Sequence, residues 1–472
     1  MNKTTHTTLI LLTVLAFAVI LLPGLTSEGM FLDGITHAAI ARNMAEGKGG
    51  FWSPFYTRTL YSVYYEHPPL GFWLESLLFR ILPDTFYVEK IFSLLTALAT
   101  GILIAVIWNR IAPGKERKEY MLLPVLLWLV LPSTGWAYSN NMLENILGVF
   151  TCLAVLLMLK GLYATSAIKQ ASYLSLSGLS TAAAVLIKGP VALFPLAFIL
   201  LFFFTDKKNN LTHSLRLSMI PAASLLLVIL LLSYYRPASD FFCMYLDRQV
   251  FQSLEGKREL SSRFTILLSL SGTLLVPAAL SVAATLLSRK WNIHADPALK
   301  KSATLMLLTG LSASLPLLIS PKQKGFYIIP SIPWFALAAS LWILPPVQYL
   351  FAKLSGRNAA TGAIKTGIFI AATVAATLVM LNAGKTGRDK DLIGNVKQIG
   401  ALVPRNEIIR ISPSISEQWA LHAYLARYFM ISLHDKASSP FFLSPASETI
   451  PPGNCEKNIM QTPMFNLYEC KK

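Results

Sequence analysis

The sequence is short of charge. Only 14% of its 472 residues are Asp, Glu, Lys or Arg, against about a quarter in soluble domains. That scarcity argues against a water-soluble enzyme and for a polytopic membrane protein. Acids are the scarcer sign, 24 against 41 Lys and Arg, for a net charge of +17. The bases sit in short loops between apolar runs, the arrangement that encodes orientation in a bilayer, so nucleic acid is not the expected partner. No G-x-G-x-x-G or P-loop falls between a strand and a helix, which removes the usual cradle for a soluble nucleotide. No internal repeat or low-complexity segment is present, so the related halves of many transporters are missing. Cysteine is limited to four residues. Cys455 and Cys470 both lie in the C-terminal tail, where an oxidising compartment would let them pair, and Cys152 sits in an apolar run as a small hydrophobe.

What the chain has instead is long apolar runs. Hydrophobic residues make up 54% of it, and its mean hydropathy is +0.53. A helix needs about 20 apolar residues to cross a bilayer. Eleven spans are expected, near 9–25, 88–108, 119–133, 143–160, 171–187, 190–205, 217–234, 264–288, 302–319, 326–344 and 366–383. The first resembles a signal-peptide core but lacks a small-x-small cleavage site, so it reads as a retained helix. Lys115, Arg117 and Lys118, Lys207 and Lys208, Arg289, Lys290, Lys300 and Lys301, and Lys353 and Arg357 all fall on one side. The positive-inside rule makes that side cytoplasmic, with the N-terminus. The opposite face takes the first loop, 26–87, and the tail from about Gly384. In the tail NEIIRIS and FMISLHD alternate like strands and EQWALHAYLARY has helical spacing. The chain thus divides into a membrane domain, 1–383, and a small α/β domain, 384–472.

The polar residues that the membrane does not explain gather on the outer face. Asp33 opens DGITHAAIARNMAEG, whose apolar spacing predicts a short interfacial helix. The aspartate would cap or nearly cap it, and His37 follows one turn later. In SVYYEHPPLGFWL, Glu66 and His67 precede Pro68-Pro69, which hold the backbone extended just before a second amphipathic segment. Tyr64, Tyr65, Phe72 and Trp73 read as an interfacial aromatic belt. Glu144 lies at the outer end of the fourth span and Lys188 in a turn between two spans. Lys322 and Lys324 stand at the mouth of the tenth, and YLDRQVFQSLEGKRE carries Asp247, Arg248, Lys257 and Arg258. Lysines at these places either snorkel or face an anion. Ionisable groups at membrane depth default to a functional reading. Together the set suggests transfer from a lipid phosphate. A carboxylate takes the acceptor's proton, and cations stabilise the departing phosphate.

With these residues placed, the chain resembles the GT-C superfamily of membrane glycosyltransferases. It is most like the branch of the lipid A aminoarabinose transferase and the protein O-mannosyltransferases. The carrying features are Asp33, YEHPPLGFW, LENILG, AAAVLIKGPVALFPLA, YLDRQVFQSLEGKRE and KQKGFYIIPSIPWFALAA, in order over roughly residues 25–345. The resemblance implies a polytopic α-helical GT-C fold with interfacial helices in the first periplasmic loop. It implies Asp33 as general base, with Glu144 positioning donor or acceptor. Lys188, Lys322, Lys324, Arg248 and His67 fall at the donor phosphate, and Glu66 and His37 orient the acceptor or a metal. It leaves room for a divalent metal at Glu66, yet the loop 235–263 has no histidine to join it. Relatives often carry a second acid where Gly34 follows Asp33 here.

The expected activity is inverting transfer of a sugar from a polyprenyl phosphate to a hydroxyl. The acceptor, a lipid A, glycan or protein, would be met on the periplasmic face of a bacterial inner membrane. A transporter or flippase for an anionic lipid is the rival from another class, and a membrane scaffold is a third. Sugar and acceptor are not named by the sequence.

Overall fold

The computed structural model describes residues 3–112, 114–206, 210–252, 262, 264–294, 296–355, 358–448 and 455–470. Lys207, Lys208, Lys257, Arg258 and Arg357 lie outside the described residues. Contacts divide the chain into two compact units. One comprises Met1–Thr26, Ser93–Ser139 and Leu143–Ala383, the other Ser27–Phe92, Asn140–Met142 and Gly384–Lys472. The break at 383/384 coincides with the start of the tail. The first loop, expected with the membrane domain, clusters with the tail instead.

The first unit is a helix bundle. Among the described residues nine helices are long and apolar enough to cross a membrane, or ten with the bent pair Arg117–Val130 and Pro132–Ser139. The bend, 73°, has a local cause. Leu131 precedes Pro132 and is forced into extended backbone (φ −75°, ψ 127°), as the proline ring requires. The eleventh expected span is hidden in one continuous stretch, Ala167–Thr205, of 39 residues. A straight α-helix of that length would measure about 58 Å, nearly twice a bilayer core.

The stretch instead turns back. The Phe202 ring lies 6.2 Å from that of Tyr163, which precedes the stretch at the end of the helix Leu143–Leu162. The outward arm is the helix Ala167–Lys188. The return arm is a 3₁₀ helix, Gly189–Ala197, followed by an α-helix, Phe198–Thr205. Pro195, inside the return arm, has no N–H to donate to Val191 and interrupts an α-type ladder. The steeper rise of 3₁₀ geometry lets its few residues cover about 30 Å, one bilayer core.

The second unit holds a five-stranded mixed sheet. Its strands are β3 (Ile408–Ile411), β4 (Ser432–His434), β5 (Phe441–Pro445), β6 (Cys455–Gln461) and β7 (Phe465–Cys470), in the order β4-β3-β5-β7-β6. A two-residue pair, β1 (Gly49–Gly50) and β2 (Ser53–Pro54), belongs to the first loop. β3 runs parallel to β4 and β5, while β7 runs antiparallel to β5 and β6. Cys455 and Cys470 face each other across β6 and β7 and are joined by a disulfide. The helix Trp419–Phe429 lies between β3 and β4 in sequence, as the helical spacing of EQWALHAYLARY predicted.

The helix Leu32–Ala45 differs from expectation. An interfacial helix would leave one face open, but residues 34, 35 and 37–44 are all buried. It packs within its own unit against the helices Trp419–Phe429 and Leu70–Ile81. Arg42 explains part of the fit, since its guanidinium donates to the carbonyls of Ala426 (2.7 Å) and Arg427 (3.0 Å). Those are last-turn carbonyls, where the helix leaves acceptor capacity over; the Ala426 oxygen also accepts from the Met430 N–H at 3.1 Å. Arg427 in turn pairs with Asp84 at 2.7 Å and Glu89 at 2.8 Å, and its guanidinium stacks over Phe79.

Candidate functional site

Each unit carries one cluster of the polar residues singled out above. In the second unit, Phe31 is the cap of the helix Leu32–Ala45, with extended backbone, and its N–H donates to Asn140 Oδ1 at 2.6 Å. Asp33 therefore stands inside the first turn, half-buried, where the helix dipole favours a carboxylate. His37, four residues on and on the same face, lies 5.7 Å from the His67 ring and 5.4 Å from Phe72. Pro69 caps the helix Leu70–Ile81, so the proline pair mounts His67 at a helix start. Glu66 accepts a hydrogen bond from the Tyr61 hydroxyl at 3.1 Å.

Tyr64 joins these groups. Its ring is buried and lies 5.7 Å from Phe72 and 6.5 Å from His67. Burial first, then the carboxylates of Glu66 and Asp33, push its phenol well above the ordinary range. Both carboxylates thus act on one buried hydroxyl, which stays protonated as a donor.

Two backbone features fix this cluster. A Cβ on Gly34 would stand 1.9 Å from the carbonyl oxygen of Asn140. The second acid of some relatives therefore has no room here. Asn141, in left-handed conformation (φ 49°), donates to Glu75 Oε1 at 2.7 Å. Burial raises the Glu75 carboxyl well above its ordinary value, Glu89 adding to the effect, so Glu75 holds its proton. The sequence reading passed over Glu75. Its signal was spacing: Phe72, Glu75, Ser76 and Phe79 follow i, i+3, i+4, i+7, which sets an acid on the buried stripe.

In the first unit Glu144 opens the helix Leu143–Leu162 and Lys188 closes the helix Ala167–Lys188. These helices pack on one another, and the two side chains form an ion pair, Glu144 1% and Lys188 9% exposed. Each suits its helix dipole, an acid in a first turn and a cation in a last one. A desolvated pair of this kind adds little to stability. Lys188 Nζ also lies 5.1 Å from the Tyr327 ring and 5.8 Å from Phe326, within cation–π range. Glu144 Oε2 is buried with no hydrogen-bond partner among the described residues. Gly189 follows with φ 72°, and a Cβ there would meet the Tyr245 hydroxyl at 2.0 Å. Phe326 stacks on Trp136 at 5.5 Å, and both line an open cleft of about 480 Å³ with Ser133, Ser269 and Thr273.

The structure thus brings Glu144 and Lys188 together. Phe326 and Tyr327 extend from the turn that carries Lys322 and Lys324. Gln323 pins that turn, buried, accepting from the Ile266 N–H at 3.1 Å. Lys322 is half-buried and Lys324 exposed; Arg248 is exposed, three residues beyond Tyr245. Among the described residues no three His, Cys, Asp or Glu side chains gather as a metal site. Glu66 is engaged by Tyr61, and the His67 ring packs on His37 and Tyr64. Among the described residues these side chains do not assemble the three donors a metal site needs.

A family model described as dolichyl-phosphate-mannose-protein mannosyltransferase matches residues 66–235. That stretch contains Glu66, His67, Glu144 and Lys188. No curated protein sequence matches the chain. Among solved structures, ArnT from Cupriavidus metallidurans bound to undecaprenyl phosphate is 14% identical. The alignment covers 97% of this chain and 96% of that one, at a TM-score of 0.66. The chain has the GT-C fold. The same ArnT in the apo state aligns over 96% of this chain and 95% of its own, at 14% identity and a TM-score of 0.63. The archaeal oligosaccharyltransferase AglB from Archaeoglobus fulgidus, in complex with an inhibitory peptide and a dolichol-phosphate, is 11% identical. It covers 94% of this chain and 70% of its own, at a TM-score of 0.54. Sharing a GT-C fold at such identities establishes architecture; function resides in the particular residues of the site.

Proposed function

We propose that the protein is an inverting glycosyltransferase that takes its sugar from a polyprenyl phosphate and gives it to a hydroxyl of a lipid A, glycan or protein acceptor. The reading places the reaction on the periplasmic face of a bacterial inner membrane, with the N-terminus cytoplasmic. The observation that carries it is the buried Glu144–Lys188 pair under Phe326 and Tyr327. A lysine held in so little water by one carboxylate and two rings is set for an anion that arrives on a lipid. The undecaprenyl phosphate bound to ArnT and the dolichol-phosphate bound to AglB are anions of that class.

In this mechanism Asp33 removes the proton of the acceptor hydroxyl. The hydroxyl oxygen bonds to the anomeric carbon from the face opposite the phosphate, and the bond from that carbon to the phosphate oxygen breaks. The electron pair leaves with the polyprenyl phosphate. Lys188 neutralises the developing charge, with Lys322, Lys324, Arg248 and His67 as further donors. Glu144 holds Lys188 in place, a positioning role, and Glu66 orients the acceptor through the hydroxyls of Tyr61 and Tyr64.

Asp33→Asn and Lys188→Gln, assayed in proteoliposomes with labelled polyprenyl-phosphate sugars and candidate acceptors, test this. Asp33→Asn should cut transfer by about 10²–10⁴-fold with little change in donor affinity. Lys188→Gln should cost about 10²–10³-fold and weaken donor binding as well. Near-normal transfer by the Asp33 variant would contradict the mechanism.

A further inference from the structure

The basic end of the bundle contains a second pocket, remote from Lys188. The helices Thr265–Lys290, Pro297–Ser314 and Ile332–Ser355 leave a pocket of about 460 Å³ between them. The N-terminal end of the first of these helices is fastened by Ile266 to Gln323, on the turn beside Phe326. Arg289 is more than six helical turns further along, about 35 Å away.

Arg289, His294 and Lys300 line the pocket, and no Asp or Glu does so among the described residues. Asp296 is engaged by Arg117 at 2.9 Å, and Asp206 by Lys301 at 3.2 Å. The lining also includes the apolar side chains of Leu341 and Pro345. Trp342 lines the pocket too, 44% exposed, its indole N–H donating to Thr285 at 3.0 Å. A fixed, partly exposed indole beside apolar and basic side chains suits a bilayer interface. Basic pockets between spans suit phosphate head groups.

We propose that this pocket holds one anionic phospholipid of the surrounding bilayer, with Arg289 and Lys300 on its phosphate and Trp342 and Leu341 against the glycerol and first acyl carbons. A free phosphate would satisfy the cations alone. The apolar side chains and the exposed indole favour a lipid.

The test is native mass spectrometry of the full-length protein in mixed micelles, titrated with phosphatidylglycerol, phosphatidylcholine or inorganic phosphate. One phosphatidylglycerol should be retained more tightly than any phosphatidylcholine, and inorganic phosphate should not displace it. The double variant Arg289→Gln, Lys300→Gln should weaken retention by about ten-fold or more. Lys290→Gln, which removes a neighbouring cation outside the pocket, should leave it unchanged. Should the double variant not be monodisperse, Lys300→Gln alone carries the test, with a smaller loss in the same direction. Wild-type retention in the pocket variant, equal weakening by Lys290→Gln, or displacement by inorganic phosphate would each overturn the proposal.

Discussion

At the scale of residues, Glu75 shows how little of a site is visible from charge alone. Glu66, Asp33 and Lys188 stand out in the sequence because they are polar where the chain is oily. Glu75 hides inside an amphipathic pattern, yet it is buried, holds its proton and fixes Asn141 beside the Asp33 turn. Its raised value has a consequence for stability. An unfolded Glu titrates near 4.3, whereas the folded group keeps its proton to higher pH. Its contribution is therefore full below the unfolded value and is lost as pH rises through the folded one. Glu75→Gln should flatten that slope. Melting temperatures of variant and wild type should diverge as pH rises, the variant losing less, and parallel curves would contradict the assignment. Glu144 and Lys188 were each legible as candidates, but their pairing was not. They lie 44 residues apart, and only the packing of two helices brings one first turn against one last turn.

At the scale of elements, proline explains most departures from a simple count of apolar runs. Pro132 bends one span, and Pro195 interrupts a return arm whose steep 3₁₀ helix crosses with few residues. Those runs were legible because the bilayer imposes a length. The burial of the helix Leu32–Ala45 was not, because part of the surface that covers it comes from the tail, several hundred residues away. Arg427 carries much of that join, being 1% exposed against Glu89 at 0%. Removing one partner of such a pair costs about 3–5 kcal/mol, since the other charge is left buried. Arg427→Met should therefore loosen the tail from the first loop while the bundle stays intact. Limited proteolysis should then cut within 384–472 in the variant and spare the wild type; identical digestion patterns would count against the role given to Arg427.

At the scale of the whole molecule, the chain shares the GT-C architecture with ArnT and AglB while keeping little of their sequence. A polytopic helical protein with a small α/β tail was legible in the apolar runs and the strand-like segments, and the GT-C fold only through the family resemblance. The grouping of the first loop with the tail was not, since no local pattern encodes contacts between segments so far apart. The chemistry rests on one premise, that the substrate is a sugar on a lipid phosphate. The most direct measurement is single-turnover incubation of the purified protein in proteoliposomes with doubly labelled polyprenyl-phosphate sugar, one label on the sugar and one on the phosphate. The sugar label should pass to an acceptor hydroxyl with inverted anomeric configuration, while the phosphate label stays on the lipid. Movement of the intact, doubly labelled lipid across the bilayer without separation of the labels would contradict it.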